Sequence, residues 1–263
     1  MTRAKDRDGT MRSGWVAPVI ALLLLCLPAH AQFVVAPDVV VYCEPTLRPV
    51  VAEIAKAWRR ESGVPVRLFA SPTAAILEQI GHRARADLII GEGEAAGAAA
   101  AERHIIKPET RLPLWRNRLV VAARGEAAPL VPADLATQLG AAPVAIVDPP
   151  VGSAGANSRA ALAALGLWPK LEHHAVGVVD TADAAFLLTH GTVSFAVLYA
   201  SDVAAGPGFN IAAPLPDAAY PPVLYWMAET QNQLSPETAA FATFLREAPA
   251  QQAARAAGLE VMR

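Results

Sequence analysis

Short apolar runs alternate with stretches of helical period along the chain from Val39 onward. The run "VVVYC" (39–43) predicts a strand, being β-branched, continuous and too short for a buried helix. From Thr46 to Gly63 the residues Val50, Val51, Ile54, Ala55 and Trp58 form one apolar stripe, which predicts a helix closed by Gly63. Pro49 falls in its first turn, where a missing N–H costs nothing. The same reading predicts strand "VRLF" (66–69), a helix at 74–81, strand "DLIIG" (87–91) and an alanine-rich helix reaching His104. Strand "NRLVVAA" (117–123), a short helix at 133–139, strand "VAIV" (144–147) and a helix at 156–165 follow. Strand "VGVV" (176–179), a helix at 182–189 and strand "SFAVLY" (194–199) continue the rhythm. "VLYWMAE" (223–229) is a late strand, and helices at about 236–246 and 249–257 close the chain. Such alternation predicts an α/β protein with parallel sheets covered by helices on both faces.

In open α/β sheets, ligands bind beyond the carboxyl ends of the strands. Those ends read "CEPT" (43–46), "ASPT" (70–73), "GEGE" (91–94), "DPPVGSAG" (148–155), "VDT" (179–181) and "YASD" (199–202). The longest, "DPPVGSAG", has Asp148 as its only charge and fits two uses. One is a tight strand-to-helix turn, which favours Gly, Pro and Asp for their backbone angles. The other is an anion seat, in which small residues let a ligand reach the unpaired N–H groups of a helix start. Because several strand ends carry hydroxyl-bearing or small residues, the set as a whole points to a ligand site.

The N-terminal residues change the picture in another way. Arg3, Lys5, Arg7 and Arg12 precede an uncharged apolar run from Gly14 to Pro28, and "AHA" (29–31) places small residues just before Gln32. That is the anatomy of a cleaved secretory signal peptide over residues 1–31, with translation starting at Met1 or Met11. Leu25 occupies the position before Cys26 where a lipoprotein site carries a small residue. The apolar run is also short of the ~20 residues that span a bilayer. Beyond it the chain holds one cysteine, Cys43, so no internal disulfide is available. The chain is 54% hydrophobic with a formal net charge of −2, which provides ample core and no basic footprint for nucleic acid. No metal-ligand spacing and no Gly-x-Ser-x-Gly turn occurs, so neither a cofactor nor an enzyme is expected. His173 and His174 are adjacent and point apart, and His82, His104 and His190 follow helical stretches as solvated ends.

In their order and spacing, "VYCEPTL", "RADLIIGEGE", "RNRLVV", "VDPPVGSAG", "ALGLW" and "VLYASD" resemble the periplasmic molybdate-binding proteins of ABC transporters. The resemblance runs over essentially the whole chain after residue 31. It implies a two-lobed type II periplasmic-binding-protein fold with the ligand cleft between the lobes. One lobe would comprise residues 32–116 and 223–263, the other 117–222. It also implies an oxyanion held by hydroxyls and backbone N–H groups, which fall here on Thr46, on Thr73 or nearby Ser71, on Ala154, on Thr181 and on Tyr199. The expected partners are a small anion and an inner-membrane ABC permease, with the receptor a periplasmic monomer.

Glu44 departs from the family pattern. A carboxylate about 5 Å from a unit negative charge costs about 3 kcal/mol at an effective dielectric of about 20. Glu44 therefore turns away, is protonated, pairs with a cation, or serves a different ligand. That leaves open an organic anion or a cation complex using Glu44 and Cys43, and a sensor subunit presenting its bound form to a membrane kinase. Thr46, Thr73 and Thr181 also have a plainer use as helix N-caps, and Tyr199 as a strand-end core residue.

Overall fold

The computed structural model describes residues 38–125, 132–173 and 175–262. The expected signal peptide and His174 lie outside the described residues.

In chain order the elements are β1 (Val39–Cys43), α1 (Arg48–Ser62), β2 (Val66–Ala70), α2 (Thr73–Gly81), β3 (Leu88–Glu92), α3 (Glu94–Glu102), β4 (Leu112–Asn117) and β5 (Leu119–Arg124). Next come α4 (Pro132–Ala141), β6 (Val144–Val147), α5 (Ser153–Ala164), α6 (Trp168–Leu171), β7 (Val176–Val178), α7 (Thr181–Thr189), β8 (Phe195–Tyr199), α8 (Ala200–Ala205) and β9 (Phe209–Pro214). β10 (Val223–Glu229), α9 (Thr238–Phe244), α10 (Ala248–Ala256) and β11 (Glu260–Val261) complete the chain. A 3-10 turn, Pro45–Leu47, separates β1 from α1.

Two sheets result among the described residues. One has the order β11-β4-β10-β3-β1-β2, the other β7-β6-β8-β5-β9. Both are mixed, which corrects the all-parallel expectation. β1 runs parallel to β2 and β3, and β6 parallel to β7 and β8. β10 runs antiparallel to β3 and β4, and β5 antiparallel to β8 and β9. The antiparallel pairs arise where the chain crosses between sheets. β4 belongs to the first sheet and β5 to the second, with only Arg118 between them, and the chain returns from β9 to β10.

The two crossings are fastened to each other. Leu119 N–H donates to the Tyr220 hydroxyl at 3.0 Å, Leu215 N–H donates to Leu119 O at 3.0 Å, and Arg116 pairs with Asp217 at 2.8 Å. The two connections thus run side by side between the sheets.

α1 shows how the pattern becomes packing. Its stripe buries Val50, Val51, Ile54 and Trp58 against the first sheet, and the Trp58 ring meets Phe241 and Phe244 at 5.7 and 5.4 Å. Full burial of such a side chain contributes roughly 1.5–3 kcal/mol. Gly63 ends the helix at φ +77°, a left-handed cap that favours glycine.

β4, β9, β11, α6 and α8 were not expected from the sequence. β4 reads "LPLWRN", and Pro113 argues against a strand. It is tolerated because the two-residue β11 pairs only with Trp115 and Arg116, so nothing on that side needs an N–H from Pro113. A register irregularity at Tyr225/Trp226 of β10 lies opposite it.

Candidate functional site

The parallel register of the first sheet aligns its strand ends. Cys43 pairs with Ile90 and with Ala70, and Glu44 N–H donates to Ile90 O at 3.2 Å. Glu44 therefore follows β1 beside Glu92, the last residue of β3. Tyr225 of β10 pairs with Glu92 from the other side. Ser71 is drawn to the same edge by its N–H, which donates to Cys43 O at 3.1 Å.

Glu44 lies within this network. Its Oε1 accepts from the Thr73 N–H at 2.5 Å and from the Thr73 hydroxyl. That hydroxyl in turn accepts from the Glu92 N–H at 2.8 Å. The carboxylate thus sits at the start of α2, where N–H groups are otherwise unpaired and negative charge is favoured. Burial still raises its pKa, against the lowering effect of the two Thr73 bonds. Glu92 is pushed further, to about 8, first by burial and then by the Glu44 charge, with the Ser153 hydroxyl opposing. Of two adjacent buried carboxyls, the one with fewer donors keeps the proton longest. Here that is Glu92.

The second sheet brings its own groups to the same place. Tyr199 ends β8, and its buried hydroxyl meets the Ser153 side chain. Burial raises that phenol well above its ordinary range, and the Glu92 charge raises it further. Ser153, first residue of α5, acts on both Glu92 and Tyr199, so it faces residues of both sheets. Asp202, desolvated and near Asp180, is pushed up to about 7 despite bonds from the Tyr199 N–H and the Thr181 side chain. Thr46 in the 3-10 turn shares a 3.3 Å hydrogen bond with the Tyr225 hydroxyl. That hydroxyl also accepts from Asn117 Nδ2 at 3.4 Å, and the same amide donates to Ser201 at 2.7 Å. A polar chain thus runs from Thr46 to the crossing strand β4. Beside it, Thr46, Asp180, Thr181, Phe186, Asp202 and Phe209 line part of an open cavity of about 340 Å³.

The expected residues are partly gathered. Glu44, Thr73 and Tyr199 fall within one interacting group, and Thr46 joins it through Tyr225. Thr46 and Thr181 line the cavity together. Ala154, in the first turn of α5, is partly packed against the core, and its carbonyl accepts from Ser158 at 2.6 Å. The N-cap alternative is settled otherwise. Thr73 and Thr181 are first residues of their helices, whose caps are Pro72 and Asp180, and the Asp180 side chain accepts from Asp183 N–H at 2.8 Å. Thr73 spends its donors on Glu44 instead. Cys43 is fully buried and its thiol pushed up to about 12 by burial, so it offers no thiolate. Among the described residues, no group of three or more His, Cys, Asp or Glu could hold a metal ion.

Glu92, Ser153, Tyr225, Asn117 and Asp202 were missed by sequence reasoning. For Glu92, Ser153 and Asp202 the signal was present, since each stands in a strand-end segment. For Tyr225 it was not, because β10 runs antiparallel to β3, and Asn117 ends β4, a strand that Pro113 hid.

Two mixed sheets, joined by paired crossings and converging on a polar cleft, define a two-lobed solute-binding protein. The chain belongs to the bacterial extracellular solute-binding protein family, which it matches over residues 39–260. The molybdate-binding protein ModA of Escherichia coli is 26% identical over 213 residues, covering 79% of this chain and 83% of that one. The substrate-binding domain of a putative molybdenum ABC transporter from Clostridium difficile has a similar fold: TM-score 0.72, 18% identity, 86% of this chain and 99% of that one. So does the Azotobacter vinelandii periplasmic molybdate-binding protein, with TM-score 0.72, 17% identity and coverage of 86% and 100%. Its family makes this a non-enzymatic protein of the extracellular or periplasmic space.

Proposed function

We propose that this chain is the receptor of an ABC transporter, closing over a small oxyanion of the molybdate class and delivering it to an inner-membrane permease. The observation that carries the reading is the convergence of donors from both sheets, the Tyr199 hydroxyl and the start of α5 from one, and Thr46 from the other. An oxyanion needs donors rather than counter-charges when it is enclosed by both lobes. The names of the E. coli relative and the two fold neighbours support the same ligand class. On this reading the lobes are 32–116 with 223–263, and 117–222, and they close about the fastened crossings. Thr46, Ser153, the N–H of Ala154, Thr181 and Tyr199 hold the ligand, while Glu44 engages Thr73 at the start of α2 and takes it away from the ligand.

The test is a thermal-shift panel of molybdate, tungstate, sulfate and phosphate, followed by calorimetry. A ligand at 100 times its dissociation constant adds about 2.7 kcal/mol of stability. Thr46→Ala should weaken the responding oxyanion about tenfold to a hundredfold, because a hydrogen bond to a charged group is worth roughly 1.5–3 kcal/mol. A panel in which none of the four oxyanions raises the midpoint would overturn the ligand class.

The exported form is also part of the proposal. Residues 1–31 act as a signal peptide, and the periplasmic protein starts at or near Gln32. Mass spectrometry of the periplasmic fraction should give that N-terminus; an intact leader or a lipid on Cys26 would refute it.

A further inference from the structure

We infer that Tyr225 and Asn117 are positioning residues of the ligand site. They fix the direction of a buried hydrogen-bond chain so that the Thr46 hydroxyl presents its proton, rather than a lone pair, to the oxyanion. The inference rests on the reading of Thr46 as a ligand contact and adds what sets its polarity.

The chain starts at Asn117, the last residue of β4, where the backbone leaves the first sheet. Its side-chain Oδ1 accepts from Arg118 N–H at 3.0 Å and from Ser201 N–H at 3.4 Å. Backbone N–H groups only donate, so these two bonds settle which end of the amide is oxygen. Nδ2 is left facing the Ser201 hydroxyl at 2.7 Å and the Tyr225 hydroxyl at 3.4 Å. The amide nitrogen can only donate, so Tyr225 accepts from it. Among the described residues the Tyr225 hydroxyl has one other hydrogen-bond partner, Thr46 Oγ1 at 3.3 Å. Tyr225 is fully buried, and a buried hydroxyl proton without an acceptor carries the whole desolvation penalty. Tyr225 therefore donates to Thr46.

A hydroxyl has one proton and two lone pairs. With a lone pair of Thr46 engaged by Tyr225, its proton is free for another partner. Thr46 is half-buried in the 3-10 turn and lines the open cavity beside Thr181. An oxyanion, which only accepts, is the partner that this proton suits. The reverse polarity would spend the Thr46 proton on Tyr225 and set a lone pair against the anion. Tyr225 and Asn117 are 0% and 1% exposed and do not line the cavity, so they act through Thr46.

The experiment is calorimetric titration with sodium molybdate and sodium tungstate of the unmodified protein, of Thr46→Ala, and of Tyr225→Phe and Asn117→Asp alone and combined with Thr46→Ala. Tyr225→Phe keeps the ring but removes the proton given to Thr46, and should weaken binding about threefold to tenfold. Asn117→Asp keeps the acceptor oxygen and sets a second acceptor against Tyr225, which reverses the chain. It should weaken binding about tenfold or more. Combined with Thr46→Ala, either change should alter affinity less than about twofold further, because the hydroxyl it acts through is gone. A loss of the same size with and without Thr46→Ala would reflect general damage or added charge and would overturn the inference. Unchanged affinity in Tyr225→Phe or in Asn117→Asp would do the same. In those cases a tenfold effect of Thr46→Ala alone leaves the oxyanion reading intact. Failure of both anions to bind the unmodified protein, or a Thr46→Ala variant with full affinity, would overturn the inference together with the reading beneath it. The two cycles share only Thr46→Ala, so each decides even if the other variant does not fold.

Discussion

Asp87→Ala should lower the unfolding free energy by about 3–5 kcal/mol, because one buried side chain accepts three backbone N–H groups and ties two other segments to β3. Asp87 is fully buried at the entry to β3. Its Oδ2 accepts from Val40 N–H of β1 at 2.8 Å, and its Oδ1 accepts from Leu234 N–H at 2.6 Å and Ser235 N–H at 3.1 Å. Removing the side chain deprives all three N–H groups of this acceptor, and the stretch leading into α9 loses its tie to the sheet. For a chain of this size the midpoint of thermal unfolding should fall by roughly 10 °C. Asp87→Asn retains one acceptor and should lose about half as much. Asp87 stands at the opposite end of β3 from Glu92, so the folded variant should keep its ligand affinity. A drop of less than about 3 °C, or a loss of binding without a loss of stability, would contradict this assignment.

Gly155→Ala should damage stability and binding at once. A Cβ at Gly155 would lie 2.7 Å from the Asp148 carbonyl carbon and 2.8 Å from Val147 O, both of them backbone atoms. Neither can swing aside, so α5 must move away from the end of β6. Forced overpacking of this kind costs about 1–3 kcal/mol. The displaced end of α5 carries Ser153, so oxyanion affinity should fall about tenfold or more through loss of a charge-assisted bond. Gly152→Ala is the control. Its Cβ would have nothing within 4 Å, and its backbone is extended, so stability should stay within about 0.5 kcal/mol. Equal denaturation midpoints for the two variants would mean that the small residues of this loop serve flexibility rather than close approach.

Much of the secondary structure was legible along the chain because each element was its own periodic signal. β1, β6 and β10 fall at the boundaries read from their apolar runs, and α1 at its stripe apart from the 3-10 turn at its start. The elements that escaped have no such signal. Pro113 interrupts β4, β11 is two residues long, and β9 follows "GPG" with short apolar content. The direction of each strand was equally hidden, since an apolar run reads the same whether its neighbour is parallel or antiparallel.

Glu44 shows where the sequence stops. Its presence beside Thr46 could be read at once, and so could the conflict with an oxyanion. Whether the carboxylate opposed the ligand or the fold resolved the conflict depended on what stood at the start of α2, a distance of 29 residues along the chain. Only the register of β1 against β2 and β3 puts Thr73 and Glu92 on either side of it. The sequence by itself determined the alternating elements, the strand-end hydroxyls and the small residues of the "DPPVGSAG" loop, because these are local choices of backbone angle and hydrophobic period. The tertiary structure alone decided which carboxyl meets the Thr73 donors and which is pushed up by burial beside it. Those outcomes depend on desolvation and on neighbours brought together from distant strands.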